Sequence, residues 1–391
     1  MSVTLAGSMG GAKKISEISE NTKFLINLIN SPSPEKLQEQ WLNLMNEISV
    51  VSLVINNNCN LKCKHCYLNT NLLLKPLSKN EWENFLNSLE KIKPILVTIS
   101  GKELTIDPNK SFFLKKLKEL RDNKSILKFG FITNGILLHK MENLLLETTP
   151  DYLDISIDGI NQTHELIRGK NTFDKTFQNT IWCSKNLKNP TFVNITIQKN
   201  NYDKLINIFK FFIENNITNI AANFYKPLPY TDPNLTLSKE EIMITFNSLN
   251  EIKYLQTQKP FTFLLDLDHI YLPPVAQFLK TNWFDISKLK EDENKSTILI
   301  HEFQNNTKII FRLNLIPIGI SRIRITPDGF LLAADDSVNT IEYEKNFIAN
   351  LRNFNYDIKK LHNFAINSPR LKQIFNRFIK NELPIIKSAL N

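Results

Sequence analysis

Three cysteines fall within eight residues, in the run Cys59-Asn60-Leu61-Lys62-Cys63-Lys64-His65-Cys66. Their spacing is C-x3-C-x2-C, and they follow the apolar stretch Val50-Val51-Ser52-Leu53-Val54-Ile55. Soft thiolates suit iron–sulfur chemistry. Three of them at the mouth of a strand can hold three irons of a [4Fe–4S] cluster, leaving the fourth iron open to a ligand that is not protein. A zinc site would also use clustered cysteines, but it needs a fourth ligand, usually from a second C-x2-C or an H-x3-H pair. The chain has neither: Cys183 stands alone and His65 lies inside the triplet. A disulfide reading leaves one of three close cysteines unpaired, and the N-terminus lacks the apolar core of a secretory signal. The iron–sulfur reading is favoured, with zinc kept open.

Other residues suited to binding small charged groups follow later apolar runs. After Ile95–Ser100 comes Gly101-Lys102-Glu103-Leu104. Glycine there lets the backbone approach a ligand, and a carboxylate with exposed carbonyls suits an ammonium group. An ordinary strand-end turn is the simpler account of that segment. The run Leu127–Thr133 ends in Thr133-Asn134-Gly135, where asparagine tolerates turn geometry and offers both donor and acceptor. The run Asp154-Ile155-Ser156-Ile157-Asp158-Gly159 is followed by His164 and by Arg168-Gly169. A buried serine hydroxyl and a bidentate guanidinium suit a carboxylate. For Arg168 a surface ion pair is the alternative. Gln198 closes the next run, Phe192–Ile197.

These groups need a scaffold that sets several strand ends side by side. Strands are expected over Val51–Ile55, Ile95–Ser100, Leu127–Thr133, Leu153–Ile157, Phe192–Ile197 and Ile220–Phe224. Helices are expected between them, over Phe112–Leu120, His139–Glu147, Thr172–Leu187 and Tyr202–Asn215. Ser78-Lys79-Asn80-Glu81 reads as a capping box opening a helix with Trp82, Phe85, Leu86 and Leu89 on one face. Units of roughly 30 residues alternating in this way favour a parallel sheet with crossover helices. Six units suit an open partial barrel, and periodicity alone equally suits an open doubly wound sheet. Beyond residue 257 the pattern changes. Phe261–Tyr271 is mixed, Pro273-Pro274 breaks it, and residues 285–308 are charged and polar. Lys308–Leu315 and Ser321–Thr326 read as strands, with a Pro327-Asp328-Gly329 turn into Phe330–Ala333, and residues 355–387 read as helical.

The ordered set of motifs resembles the radical S-adenosylmethionine (SAM) superfamily, and S-I-D-G…H…R-G resembles its peptide-modifying branch. The resemblance covers roughly residues 50–230 and decides for the partial barrel. It implies an α/β fold, a partial (β/α)6 TIM-like barrel with a C-terminal α+β extension. It implies one [4Fe–4S] cluster on Cys59, Cys63 and Cys66 and SAM on its open iron. Gly101 and Glu103 would meet the methionine amino group, and Ser156 and Arg168 its carboxylate. Asp158 would shape the site, with Thr133 and Asn134 in the adjoining turn and Gln198 at the ribose. His65 and Tyr67 would lie near adenine, local packing being their alternative. Lys102 and Leu104 replace the usual glycine and proline, so the Lys102 side chain is expected to point away. Arg324-Ile325-Thr326-Pro327-Asp328-Gly329 with Asn339-Thr340-Ile341 resembles a SPASM or twitch extension, but Ala333-Ala334-Asp335 stands where a cysteine is expected. With Cys183 the sole spare thiol, no auxiliary cluster can be fully cysteine-ligated, which argues against a sulfatase-maturase role.

The expected organisation is a tail and helical segment over 1–49, with two helices in 15–50 split at Ser33-Pro34. The barrel spans 50–256 and a degenerate SPASM/twitch-like and helical extension 257–391. Residues 1–14 read as a disordered tail or remnant. The resemblance implies radical cleavage of SAM and modification of a ribosomally made precursor peptide by epimerisation, crosslinking or backbone excision. It also implies an electron donor such as flavodoxin or ferredoxin and a leader-recognition protein as partners. The competing readings are a radical SAM enzyme on a small molecule and a non-catalytic, cluster-containing peptide-binding partner. Cys183 is a conditional hydrogen donor for epimerisation, against a simpler role as a buried helical thiol. With 391 residues, 42% of them hydrophobic, the chain can bury a large core. Its +9 charge is spread along the sequence without a dense basic block or an aromatic-basic motif, so a nucleic-acid partner is not expected. Arg312, Asn314, Arg322 and Arg324 interrupt the most apolar run, Ile309–Ile325, so no membrane span is expected. A reduced cytoplasmic setting follows.

Overall fold

Strand and helix alternate from residue 50 because apolar residues recur at every second position in short runs and at helical spacing between them. The structure is a computed structural model. It describes residues 39–43, 45–66, 68, 75–227, 231–252, 259–268, 290–291, 297–303, 305–314, 322–332, 347–381 and 384. The first six strands are β1 (Val50–Leu53), β2 (Leu96–Ile99), β3 (Lys128–Thr133), β4 (Tyr152–Ser156), β5 (Thr191–Ile197) and β6 (Asn219–Phe224). Between them run α1 (Lys79–Ser88), α2 (Lys110–Asp122), α3 (Glu142–Thr148), α4 (Gln162–Arg168), α5 (Phe173–Asn186) and α6 (Leu205–Glu214). Each strand pairs in parallel with the next. The expected capping box is present: the Ser78 hydroxyl accepts from Glu81 N at 3.3 Å, and Ser78 N donates to Glu81 Oε2 at 2.7 Å.

The sheet extends further than the sequence pattern indicates. After α7 (Lys239–Ile252), strand β7 (Thr262–Asp268) pairs in parallel with β6. It is followed by β8 (Lys290–Glu291), β9 (Thr297–Glu302), β10 (Lys308–Asn314), β11 (Arg322–Ile325), β12 (Phe330–Leu332) and β13 (Phe347–Asn350). β10 pairs in parallel with β7, and β11 in parallel with β1. The described strands form one sheet in the order β13-β12-β11-β1-β2-β3-β4-β5-β6-β7-β10-β9-β8. The strands of the C-terminal segment thus continue the sheet at both edges instead of forming a layer of their own. Helices α8 (Ile358–Ile366) and α9 (Pro369–Asn381) close the chain. Of the segment 15–50, residues 39–43 are helical; Pro273-Pro274, Ala333-Ala334-Asp335 and Asn339-Thr340-Ile341 lie outside the described residues.

Strand alternation divides the sheet into two faces. Leu153, Ile155, Val193, Ile195, Ile220 and Phe263 join the main core beneath the helices. The other face makes the lumen, with Val50, Leu96 and Tyr152 in one apolar cluster and Phe192, Ala221, Leu264 and Ile310 in another. Gly130 makes room for Tyr152: a Cβ there would sit 2.3 Å from the tyrosine ring. The Tyr152 hydroxyl donates to Thr98, which satisfies it inside the lumen. Asp154, Asp266, Arg312 and Arg324 are buried in positions of the same parity. The Arg312 guanidinium lies 3.3 Å from Asp266. Arg312 and Arg324, two of the three arginines that break the apolar run Ile309–Ile325, are therefore buried side chains of lumen parity, while Arg322 is half-buried.

Candidate functional site

The loop leaving β1 carries the three cysteines across the end of the sheet. It is fixed by backbone bonds from Val54 N to Ile325 O (2.9 Å) and from Lys64 N to Ile167 O (3.0 Å). All four cysteines are free thiols. Cys59, Cys63 and Cys66 line one cavity together with His65, Gly101, Glu103, Thr133, Asn134, Ser156 and Arg168. Burial raises the Cys59 thiol pKa and pushes Cys63 up to about 11, with the Arg168 guanidinium opposing the shift at Cys63. Protons there would have to be displaced by a metal group on binding. Among the described residues, no three His, Cys, Asp or Glu side chains gather closely enough for a single metal ion.

Gly101 has φ +107°, a left-handed conformation that a side chain would strain, and a Cβ there would lie 3.0 Å from Val54. Glu103 is buried and knits two loops together. Its Oε1 accepts from Thr105 N (3.0 Å) and the Thr133 hydroxyl (2.7 Å), and its Oε2 accepts from Asn134 N (2.8 Å). A carboxylate has acceptor capacity beyond three donors, so an ammonium partner is still accommodated. The Asn134 amide donates to Asn60 Oδ1 at 2.7 Å and lies 3.9 Å from Cys59 Sγ. Lys102 borders the cavity and its charge acts on Cys59, contrary to the expectation that it points away. It is half-buried, so its long stem can line the cavity while the ammonium keeps water contact.

Beneath the cysteine loop, Asp158 is fully buried and acts as a hub. Its Oδ2 accepts from Arg168 Nε at 2.6 Å, and its Oδ1 accepts from Thr196 N at 2.8 Å. His65 Nδ1 stands 3.8 Å from Oδ2, and Asp158 N donates to His164 Nδ1 at 3.3 Å. The guanidinium holds the Asp158 carboxyl below its usual range against the penalty of burial. Burial drives His65 down to about 4 and His164 down to about 3, so both imidazoles are neutral at pH 7. Asp158 itself is behind the cavity wall. Gln198 is fully buried with both side-chain amide atoms unpaired, and it is not among the cavity-lining residues. Tyr67 lies outside the described residues. Cys183 packs in the core on α5, away from the cavity, and burial pushes its thiol up to about 12.

The cavity also includes residues that sequence reasoning missed: Asn194 and Thr196 on β5, Asn223 on β6 and Arg324 on β11. Asn223 Nδ2 donates to Asn194 Oδ1 at 3.3 Å. The signal available was asparagine in mid-strand, where it is depleted.

Residues 53–212 match the family model described as the Radical SAM superfamily. It is 29% identical over 164 residues to the sporulation killing factor maturation protein SkfB of Bacillus subtilis (strain 168), covering 40% of this chain and 38% of SkfB. It is 29% identical over 168 residues to the Fe-coproporphyrin III synthase of Methanosarcina barkeri (strain Fusaro / DSM 804), covering 42% of this chain and 40% of the synthase. These matches span well under half the length of either relative. The fold is similar to SuiB of Streptococcus suis. In its complex with S-adenosylmethionine the TM-score is 0.62 at 15% identity, covering 97% of this chain and 77% of SuiB. In its complex with the precursor peptide SuiA the TM-score is 0.63 at 15% identity, covering 96% and 78%. The large, mostly parallel sheet with its crossover helices is thus similar in fold to SuiB.

Proposed function

We propose that this chain is a radical SAM enzyme that modifies a ribosomally made peptide. The cavity in which three thiols meet Glu103, Asn134, Ser156 and Arg168 carries the reading. The likeness to SkfB, a maturation protein, and to SuiB with its precursor peptide supports the substrate class. Cys59, Cys63 and Cys66 would hold one cluster. Gly101, Glu103, Thr133, Asn134, Ser156 and Arg168 would bind SAM, with Asp158 behind Arg168, Gln198 at the ribose and His65 and Tyr67 toward adenine. When bound, these cofactors supply an electron and a 5′-deoxyadenosyl radical able to take hydrogen from an unactivated carbon.

The chain's own residues bind, orient and exclude water. Glu103 locks the loops after β2 and β3 into one unit, so the amide of Asn134 and the backbone at Gly101 face the same space. Asp158 orients the Arg168 fork. Leu68 and Ile132 make part of the wall apolar. Asn194, Asn223 and Arg324 add polar groups to the wall. In this reading residues 1–49 precede the barrel, residues 50–256 form it, and residues 257–391 add Arg324 to the substrate wall. Crosslinking or backbone excision fits better than an epimerisation quenched by Cys183, which is packed in the core. A flavodoxin or ferredoxin would supply electrons, a separate protein would present the leader, and the setting is cytoplasmic. No helix among the described residues is long and apolar enough to cross a membrane.

Reconstituted enzyme would be incubated anaerobically with SAM, dithionite and short peptides encoded beside its gene. The expected result is a mass change localised to one peptide by fragmentation. The similarity to Fe-coproporphyrin III synthase supports a second, small-molecule reading. Unchanged peptides together with turnover of an iron porphyrin would establish that one instead.

A further inference from the structure

We propose that Arg168 sets the reduction potential of the cluster by presenting a charged N–H donor to the Cys63 sulfur. The inference rests on the reading that Cys59, Cys63 and Cys66 hold an iron–sulfur cluster. Arg168 is the last residue of α4 and is 8% exposed. Its Nε is bound to Asp158 at 2.6 Å, and its Nη1 lies 4.0 Å from Cys63 Sγ. One edge of the planar fork is thus held by a carboxylate while another faces sulfur, an arrangement lysine cannot reproduce.

The contact is built from several directions. Asp158 is itself fixed by Thr196 N at 2.8 Å. The cysteine loop is tied to α4 by the bond from Lys64 N to Ile167 O, between the neighbours of Cys63 and Arg168. Cys59, by contrast, receives neutral donors: Leu61 N at 3.4 Å and the Asn134 amide at 3.9 Å. Hydrogen bonds to cluster sulfurs and nearby charge are established levers on reduction potential. Reduction adds negative charge to the cluster, so a fixed guanidinium favours the reduced state and raises the potential. Arg168 acts here through Cys63, a role separate from any contact with SAM.

The test is a redox titration followed by EPR on reconstituted wild type, R168Q and R168K without SAM, with iron and sulfide content measured in each. R168Q is expected to lower the one-electron reduction constant about tenfold, or ~59 mV. R168K is expected to give a smaller drop, since it keeps the charge and loses the fork. A fully loaded R168Q with the wild-type midpoint overturns the proposal. So does weakened SAM binding at an unchanged SAM-free midpoint, which would mark a role confined to SAM. If R168Q alone unfolds because Asp158 is left as a buried unpaired charge, the double variant R168Q/D158N removes both charges. Because loss of the Asp158 carboxylate by itself raises the potential, its midpoint is compared with that of D158N: a lower midpoint in the double variant is expected, and equal midpoints overturn the proposal. Failure of wild type to hold iron and sulfide would instead overturn the cluster reading.

Discussion

Glu103→Gln should weaken both the fold and SAM binding, because the two carboxylate oxygens serve three donors from two loops. Oε1 takes Thr105 N and the Thr133 hydroxyl, and Oε2 takes Asn134 N. A glutamine must turn its amide nitrogen toward one side. Toward Asn134 it meets a backbone N–H; toward Thr105 it meets another. The Thr133 hydroxyl can rotate, but one backbone donor loses its acceptor in either orientation. A buried unsatisfied donor costs about 1–3 kcal/mol, and bonds to an ionised acceptor lie at the upper end. Glu103 is 2% exposed, so water offers little relief. The expected loss is about 2 kcal/mol in urea unfolding of the apoprotein. The Asn134 loop would move with it, so SAM affinity in the reconstituted enzyme should fall by about tenfold or more, since a tenfold change corresponds to ~1.4 kcal/mol. Apoprotein stability and SAM affinity both at wild-type levels would refute the reasoning.

Other substitutions test the frame around the site. Glu81 caps α1 and also accepts from Arg352 Nε (2.7 Å) and the Tyr356 hydroxyl (2.6 Å), which lowers its pKa well below the ordinary value. Its stabilisation is therefore present above the unfolded-state pKa of about 4.3 and is lost as pH falls toward the folded value. E81Q should cost about 1–2 kcal/mol at pH 7, and the gap from wild type in urea melts should shrink below about pH 4. Gly130→Ala should destabilise by about 1–3 kcal/mol through the clash with Tyr152, also read by urea melts. Cys183→Ala should leave turnover and product stereochemistry unchanged while costing about 1 kcal/mol of stability, measured by product analysis and denaturation; altered stereochemistry would restore the thiol as a hydrogen donor.

The first six strands were legible because their helix-facing residues are almost all apolar and turn residues bound each run. β7 was obscured by its lumen face. Phe263, Leu265 and Leu267 keep the strand pattern, but Asp266 and Asp268 alternate with them and make the segment look mixed. β10 and β11 were recognisable as strands, but their places beside β7 and β1 depend on long-range pairing that local sequence does not encode. The same division applies to the cavity. Its cysteine loop and the turns at Glu103, Asn134 and Ser156 sit in short contiguous motifs. Asn194, Asn223 and Arg324 are single residues on separate strands, gathered only when the sheet curls. The dual commitment of the Arg168 fork, to Asp158 and toward Cys63, likewise needs three dimensions to be seen.

The central claim is that three thiols in this cavity support radical cleavage of SAM. Anaerobically reconstituted protein, given SAM and dithionite, would be assayed for 5′-deoxyadenosine by mass spectrometry, beside Cys63→Ala treated identically. Product formed by wild type and absent in the variant is the predicted result. A fully loaded, reducible wild-type cluster that binds SAM and yields no 5′-deoxyadenosine, even with its peptide, would contradict the account.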